Sequence, residues 1–255
     1  MNHKARIIQI TDCHLLLNPQ DSYRDYYPEQ RLDAVIAKVA DQLPEIGQFD
    51  HLLLTGDIAQ QPELSVYQRI LGKTQHLAKE VHWIAGNHDD VSVMSQFVSQ
   101  QDKLVTIGKW AIVLLDSTAY PNGVGSGSLA HEELERIKSI DELEAEHIML
   151  VLHHPPVDVG SRWQDEIKLA NAESFWEAVS QSQKVKAITY GHLHQEHHLI
   201  EQGIELFCCP ATAPQFKKQQ ADFMLEDDPL LMAPGYRIFE LSDDGSIASK
   251  VERVR

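Results

Sequence analysis

Short apolar runs recur along the chain, and most end abruptly in polar residues. Runs of strand character lie at 5–10, 51–55, 81–85, 110–116, 148–152 and 186–190. Between several of them the apolar spacing lengthens to that of a helix. In EQRLDAVIAKVADQL (29–43), Leu32, Val35, Ile36, Val39 and Leu43 share one helical face. ELSVYQRILGKTQHLAKE (63–80) and AHEELERIKSID (130–141) predict further helices, with Gly72 weakening the former. NAESFWEAVSQS (171–182) predicts another, started by Asn171.

This alternation argues for an α/β fold with helices covering sheet faces. After residue 190 the pattern changes. HHLIEQGIELFCC predicts a hairpin turning near Gln202–Gly203, and GYRIFELSDDGSIASKVERV another turning at Asp244–Gly245. A helix-alternating front followed by a strand-rich end predicts two sheets packed together in one domain over 1–255. The Gly-rich segment STAYPNGVGSGSLA (117–130) lacks the GK[ST] ending of a phosphate-cradling loop. It reads as a flexible connection capped by Ser128. Segments 155–170 and 210–234 are irregular, and loops of that length usually carry function or disorder.

Composition narrows the function. The net charge of −16 repels polyanions, so nucleic acid is not an expected partner. No apolar run approaches the ~18 residues that span a bilayer. The opening MNHKARIIQITD enters a strand at once, without an export signal. The cysteines, Cys13, Cys208 and Cys209, have no framework spacing. Together these predict a cytoplasmic protein, and self-association into a homo-oligomer is left open. A small anionic substrate stays compatible with the acidic surface if metal ions supply positive charge locally.

The 14 histidines are unevenly placed, and several follow strand-like runs. The first run ends in Asp12 and His14, the second in Gly56 and Asp57. The third ends in GNHDD with Asn87, His88 and Asp89, the fourth such group is His153 and His154, and the last is GHLH with His192 and His194. In open α/β sheets the carboxyl ends of the strands are where ligands bind. Asp12 and His14, two apart in an extended segment, would converge while Cys13 faces away. Glycine ahead of the groups at 57, 87 and 192 allows a sharp exit and close backbone approach. Each motif alone is commonplace, whereas the order DxH, GD, GNHD, HHPP, GHLH in one chain is specific.

That ordered set resembles the signature of the calcineurin-like metallophosphoesterases. NAESFWEAV, GHLHQE, PATAPQFK and APGYRIFEL further resemble bacterial class III 3′,5′-cyclic-AMP phosphodiesterases. The resemblance implies a four-layer α/β/β/α sandwich with two divalent ions (Fe²⁺, Mn²⁺ or Zn²⁺) at the strand ends. It implies that Asp12, His14 and His194 hold one ion, that Asn87, His153 and His192 hold the other, and that Asp57 bridges them. A hydroxide between the ions would open cyclic AMP to 5′-AMP, with His88 as general acid. His14, Asp57, Asn87, His88 and His194 would also border the substrate. The alternatives are a broader phosphodiesterase for 2′,3′-cyclic nucleotides, glycerophosphodiesters or nucleotide pyrophosphates, and a non-catalytic scaffold of the same fold. Oxygen and imidazole donors without thiolate suit such ions.

Several residues depart from that pattern or lie beside it. Some relatives carry an acid, to orient the GNH histidine, where this chain has Gln60, leaving Asp89 or a carbonyl for that task with His88. Cys13 and the pair Cys208–Cys209 read as buried thiols, and His154 as a neighbour of the site or a surface residue. His197 and His198 read as surface residues, and Trp163 as a loop anchor. Lys168, Lys217 and Lys218 could approach the substrate, but exposed lysines are the default.

Overall fold

The computed structural model describes residues 4–96 and 103–254. Strand β1 (Lys4–Ile10) leads into helices α1 (Pro28–Ala40) and α2 (Leu43–Ile46). Then come β2 (Phe49–Thr55), α3 (Leu64–Thr74), β3 (Ala78–Ile84) and α4 (Val91–Ser95). The hairpin β4 (Leu104–Ile107) and β5 (Trp110–Leu114) precedes α5 (His131–Lys138) and β6 (His147–Val151). After α6 (Arg162–Asp165), α7 (Ala172–Val179) and β7 (Val185–Tyr190) come two hairpins. They are β8 (His197–Glu201) with β9 (Ile204–Cys208), and β10 (Gly235–Ser242) with β11 (Ile247–Arg253).

The strands form a five-stranded sheet, β11-β10-β1-β2-β3, and a six-stranded sheet, β4-β5-β6-β7-β9-β8. β1, β2 and β3 run parallel, as do β5, β6 and β7, so each sheet sends its parallel strand ends to one edge. Three apolar cores define the layers. Leu32, Val35 and Val39 of α1 and Val66, Tyr67 and Ile70 of α3 pack on Ile8, Ile10, Leu52 and Leu54. Ile137 of α5 and Phe175 and Val179 of α7 pack on Val113, Leu150 and Ile188. The opposite faces of the sheets meet through Ile7, Leu53, Ile112, Met149 and Phe239. The result is the α/β/β/α sandwich.

Both hairpins turn where expected. Gln202 and Gly203 both take left-handed φ, 51° and 80°, and Gly245 takes 86°. Element ends differ more. The helix expected over 63–80 stops at Thr74, because Ala78 pairs with Phe49 and the following residues join the sheet as β3. Apolar Leu77 and Ala78 satisfy both a helical and a strand period, and tertiary pairing decides between them. The helix expected over 29–43 ends at Ala40, and Leu43 starts α2. Asn171 precedes α7 without capping it; its amide instead brackets the backbone N–H and C=O of Leu129 at 3.0 and 2.9 Å. Ala130, not Ser128, occupies the cap position of α5, and Ser128 pairs with Ala119 through backbone bonds.

Candidate metal centre

Five of the polar residues that follow the strands have left-handed backbone: Asp12, His14, Asp57, His192 and His194, with φ of 51°, 47°, 48°, 69° and 50°. Each such residue costs about 1 kcal/mol or more in an L-amino acid, so the surroundings must hold it. They do. Past the end of β1 the chain still pairs with the chain past β2, through Asp12 N–H to Gly56 O (3.0 Å), His14 N–H to Asp57 O (2.9 Å) and Leu15 N–H to Ile58 O (3.0 Å). Asp12 and His14 therefore converge by successive left-handed kinks and not by the alternation of a strand, which has ended at Ile10.

The side chains meet closely. His14 Nε2 lies 2.9 Å from His194 Nε2 and 3.6 Å from Asp57 Oδ2. His153 Nε2 lies 3.5 Å from the same Asp57 oxygen and 3.2 Å from His192 Nδ1. His194 Nε2 is 3.5 Å from Asp12 Oδ1. Donor atoms of Asp12, His14, Asp57 and His194 form one group within 4.8 Å, those of Asp57, His153 and His192 a second, and Asp57 belongs to both. Asn87 Oδ1 is buried and has no hydrogen-bond partner. An orphaned oxygen beside two groups of imidazole and carboxylate donors fits a pair of divalent ions.

The remote ring nitrogens are all engaged, which fixes each imidazole's orientation. His153 Nδ1 meets Thr55 O at 2.8 Å, His194 Nδ1 meets Pro214 O at 2.7 Å, and His192 Nε2 meets Ile167 O at 3.1 Å. His14 Nδ1 alone relies on a side chain, Gln60 Oε1, at 2.9 Å. Asp12 accepts the His192 N–H on both oxygens, and Asp57 Oδ1 accepts the His88 N–H at 2.9 Å. Two glycines make this approach feasible. A Cβ on Gly86 would lie 2.3 Å from Asp57 Oδ1, and one on Gly191 would lie 2.2 Å from Thr11 Oγ1.

Electrostatics favour neutral rings at His14, His192 and His194 and a charged Asp57. Burial pulls His14 down to about 4 and holds His192 and His194 well below the usual histidine range. Burial would raise the Asp57 carboxyl, but the His153 charge overcomes it and holds it well below the usual range. Burial likewise lowers His153, yet the Asp57 carboxylate lifts it to about 9. To hold a cation, His153 would have to give up that proton. Burial pushes Asp12 up to about 7.

Residues 5–196 match the family described as calcineurin-like phosphoesterase. The chain belongs to the calcineurin-like phosphoesterases. It is 33% identical over 258 residues to the 3′,5′-cyclic adenosine monophosphate phosphodiesterase CpdA of Vibrio vulnificus, covering 99% of this chain and 91% of that protein. To the protein of the same name from Escherichia coli strain K12 it is 32% identical, covering 98% and 90%. The fold resembles that of a dimetal phosphatase from Danio rerio, with TM-score 0.64 over 98% of this chain and 99% of the other at 12% identity.

In this phosphoesterase the donors floor a cavity of about 440 Å³, which His14, Asp57, Asn87, His88, His192 and His194 line. Ligand sites commonly measure ~300–1,000 Å³. Asp12 and His153 lie behind that floor, fully buried. The His88 ring stands edge-on to His14, with centroids 4.9 Å apart. Neither Gln60 nor Asp89 orients it. Asp89 instead accepts N–H groups of Ala59 (3.0 Å) and Gly86 (2.9 Å) and the Tyr67 hydroxyl (3.0 Å), tying the turns after β2 and β3 together.

The walls come from segments far apart in the chain. Phe216, in the QFK stretch, stacks on His194 with centroids 4.0 Å apart. Trp163 packs against Phe216 and Phe223 at 5.4 Å each, and so both anchors its loop and lines the cavity. Tyr23 stacks on His14 at 4.9 Å. Tyr23 and Tyr26 bracket a two-residue turn in which Arg24 and Asp25 are both left-handed, the geometry of a tight hairpin turn. This turn carries the Arg24 guanidinium to 4.5 Å from the Phe223 ring centroid and 5.3 Å from that of Tyr23. The sequence reading missed Tyr23, Arg24 and Phe223; the YRDY spacing was a signal for the first two, and Phe223 had none.

The remaining candidates fall away. Lys168 pairs with Asp158 and Lys217 with Asp227, and Lys218 is half-buried off the cavity. His154 is buried beside the centre, bonded to Ser117 Oγ (2.9 Å) and Gly125 O (3.1 Å), and so joins the Gly-rich segment to it. That segment is no loose connection: Gly125 and Ser126 line the cavity. His197 is largely buried, contrary to its expected surface position, whereas His198 is exposed and stacks on Phe207. Cys13, Cys208 and Cys209 are buried free thiols whose ionisation burial suppresses.

Proposed function

We propose that this chain hydrolyses 3′,5′-cyclic AMP to 5′-AMP with two divalent ions. The observation that carries the reading is the shared Asp57 carboxylate between two converging donor groups at the floor of an aromatic-walled cavity. The substrate follows the nearly full-length likeness to proteins named for that activity. Asp12, His14 and His194 would hold one ion, Asn87, His153 and His192 the other, and Asp57 both. When bound, the ions supply Lewis acidity and acidify a water near neutral pH. Donor chemistry points to Fe²⁺ or Mn²⁺, with Zn²⁺ also accommodated.

The chain's own residues do the rest. Ring opening adds water to phosphorus and breaks the bond to the 3′ oxygen, which departs needing a proton. His88 faces the cavity beside Asn87 and delivers that proton. Left-handed backbone and the supporting carbonyls keep the donors in place before substrate arrives. Arg24, stacked on Phe223 and Tyr23, offers a planar cationic surface at the mouth for the purine.

The acidic surface suits a small substrate over a polyanion, and among the described residues no helix is long and apolar enough to cross a membrane. Free cysteines fit a reducing compartment, so we place the protein in the cytoplasm. We read 1–255 as one catalytic domain, because β10 and β11 complete the sheet that β1 begins.

The test is a substrate panel on metal-stripped protein reloaded with Mn²⁺, Fe²⁺ or Zn²⁺. We expect the highest kcat/KM for 3′,5′-cyclic AMP over 2′,3′-cyclic AMP, a glycerophosphodiester and bis(p-nitrophenyl) phosphate. Cleavage of the artificial diester with cyclic AMP left intact would overturn the substrate and leave the phosphoesterase chemistry standing.

A further inference from the structure

A second cluster of donors lies at the other end of the same strands. β2 and β3 are parallel neighbours in which His51 is in register with Glu80, and His82 follows Glu80 by two residues. All three side chains thus project from one sheet face. It is the face that carries Leu53 and Ile84 into the inter-sheet core, here at its margin on the edge strand β3.

The donor atoms converge. His51 Nδ1 lies 3.0 Å from His82 Nε2 and 3.7 Å from Glu80 Oε2, and His82 Nε2 lies 3.6 Å from the same carboxylate oxygen. The spacing repeats that of the catalytic cluster, where the close pairs span 2.9–3.6 Å. The rings are tilted by 39° with centroids 5.1 Å apart, so they point nitrogens at each other instead of stacking faces. The His51 side chain is 8% and the His82 side chain 12% exposed, whereas Glu80 is 63% exposed. Burial lowers the His51 pKa against the pull of Glu80 and Asp50, with Lys79 adding to the lowering. A neutral ring keeps its lone pair for a cation.

We propose that His51, Glu80 and His82 form a second, non-catalytic site for a divalent transition cation of the Zn²⁺ type. Two imidazoles and one carboxylate are a familiar donor set for Zn²⁺, and the exposed Glu80 side leaves room for water to complete the shell. His51 lies in β2 and Asp57 two residues past its end, six residues further on; at ~3.3 Å per strand residue the sites lie at most roughly 20 Å apart. The ion would fasten the edge strand β3 to β2. Bound to the folded chain alone, it would stabilise the fold by mass action.

The experiment counts ions and does not depend on the substrate. Metal-stripped full-length protein is dialysed against buffered Zn²⁺, and bound metal per chain is measured by elemental analysis. Co²⁺ loading followed by visible absorption reports the donor set. We expect three ions for the wild type and two for His51→Leu/His82→Val, with Mn²⁺-supported activity unchanged. Glu80→Gln alters an exposed residue and keeps the fold; it should weaken only the third ion, by tenfold or more. Equal stoichiometry in wild type and variants, or a Co²⁺ spectrum that the substitutions leave unaltered, would overturn the site and reduce the cluster to a histidine–histidine hydrogen bond. Neither outcome touches the phosphodiesterase reading.

Discussion

Gln60→Leu isolates one donor of one ion. Three of the four histidines in the candidate metal cluster are steadied by main-chain carbonyls, which no substitution removes. His14 depends on the Gln60 side chain at 2.9 Å and is 1% exposed. Leucine keeps the approximate size and leaves the His14 Nδ1–H buried without an acceptor, at a cost of about 1–3 kcal/mol. That range overlaps the ~10–100-fold loss of affinity typical when a metal-ligating histidine loses its supporting contact. The Kd of the ion at Asp12, His14 and His194 should therefore rise by ~10–100-fold. The other ion, whose His153 and His192 answer to Thr55 and Ile167, should be unaffected. Mn²⁺ titration of the metal-stripped protein, with free Mn²⁺ read by electron paramagnetic resonance, resolves the two affinities. Gln60→Glu, which restores an acceptor with a charge, should recover or tighten the weakened site. Equal weakening of both ions, or of neither, would refute the assignment of His14 to one ion only.

Two further outcomes follow from the cavity. His88→Ala should lower kcat on cyclic AMP by ~10²–10⁴-fold with metal content intact. Bis(p-nitrophenyl) phosphate, whose leaving group needs no proton, should lose far less; an equal loss on both, or a lost ion, counts against a proton-donating His88. Arg24→Gln should raise KM for cyclic AMP about fivefold, matching the loss of about 1 kcal/mol of stacking, with kcat unchanged. Arg24→Lys should not rescue it, because an ammonium lacks the planar face. Steady-state kinetics would contradict this if kcat fell at constant KM.

Much of the centre could be read from the chain because its donors sit in short motifs directly behind apolar strands. Strand identity and the parallel order then bring Asp12, Asp57, Asn87, His153, His192 and His194 to one edge. What could not be read is how they converge. Strand alternation put Asp12 and His14 on one side, yet the actual device is left-handed backbone, for which Asp and His carry only a weak preference that does not mark a particular position. Gln60 was recognised only as a departure that left His88 without its usual acid; its reach to His14 depends on how the β1 and β2 exits pair. The cavity walls were least accessible. Tyr23, Trp163, Phe216 and Phe223 meet only in three dimensions, and single aromatic residues in loops look alike in sequence. Helix ends failed for a local reason: Leu77 and Ala78 fit either period, and pairing with β2 settles it.

β1, which leads to Asp12, lies between β2 and β10, so its outer neighbour is made more than 200 residues later. On the ribosome the emerging chain holds β1 and β2 long before β10 exists. Until then the β1 backbone presents an unpaired apolar edge, a template for aggregation. Arg237 on β10 then also reaches Cys208 O and His197 O in the opposite sheet. The sheet behind Asp12 is thus completed late in biosynthesis, when the last hairpin has been made.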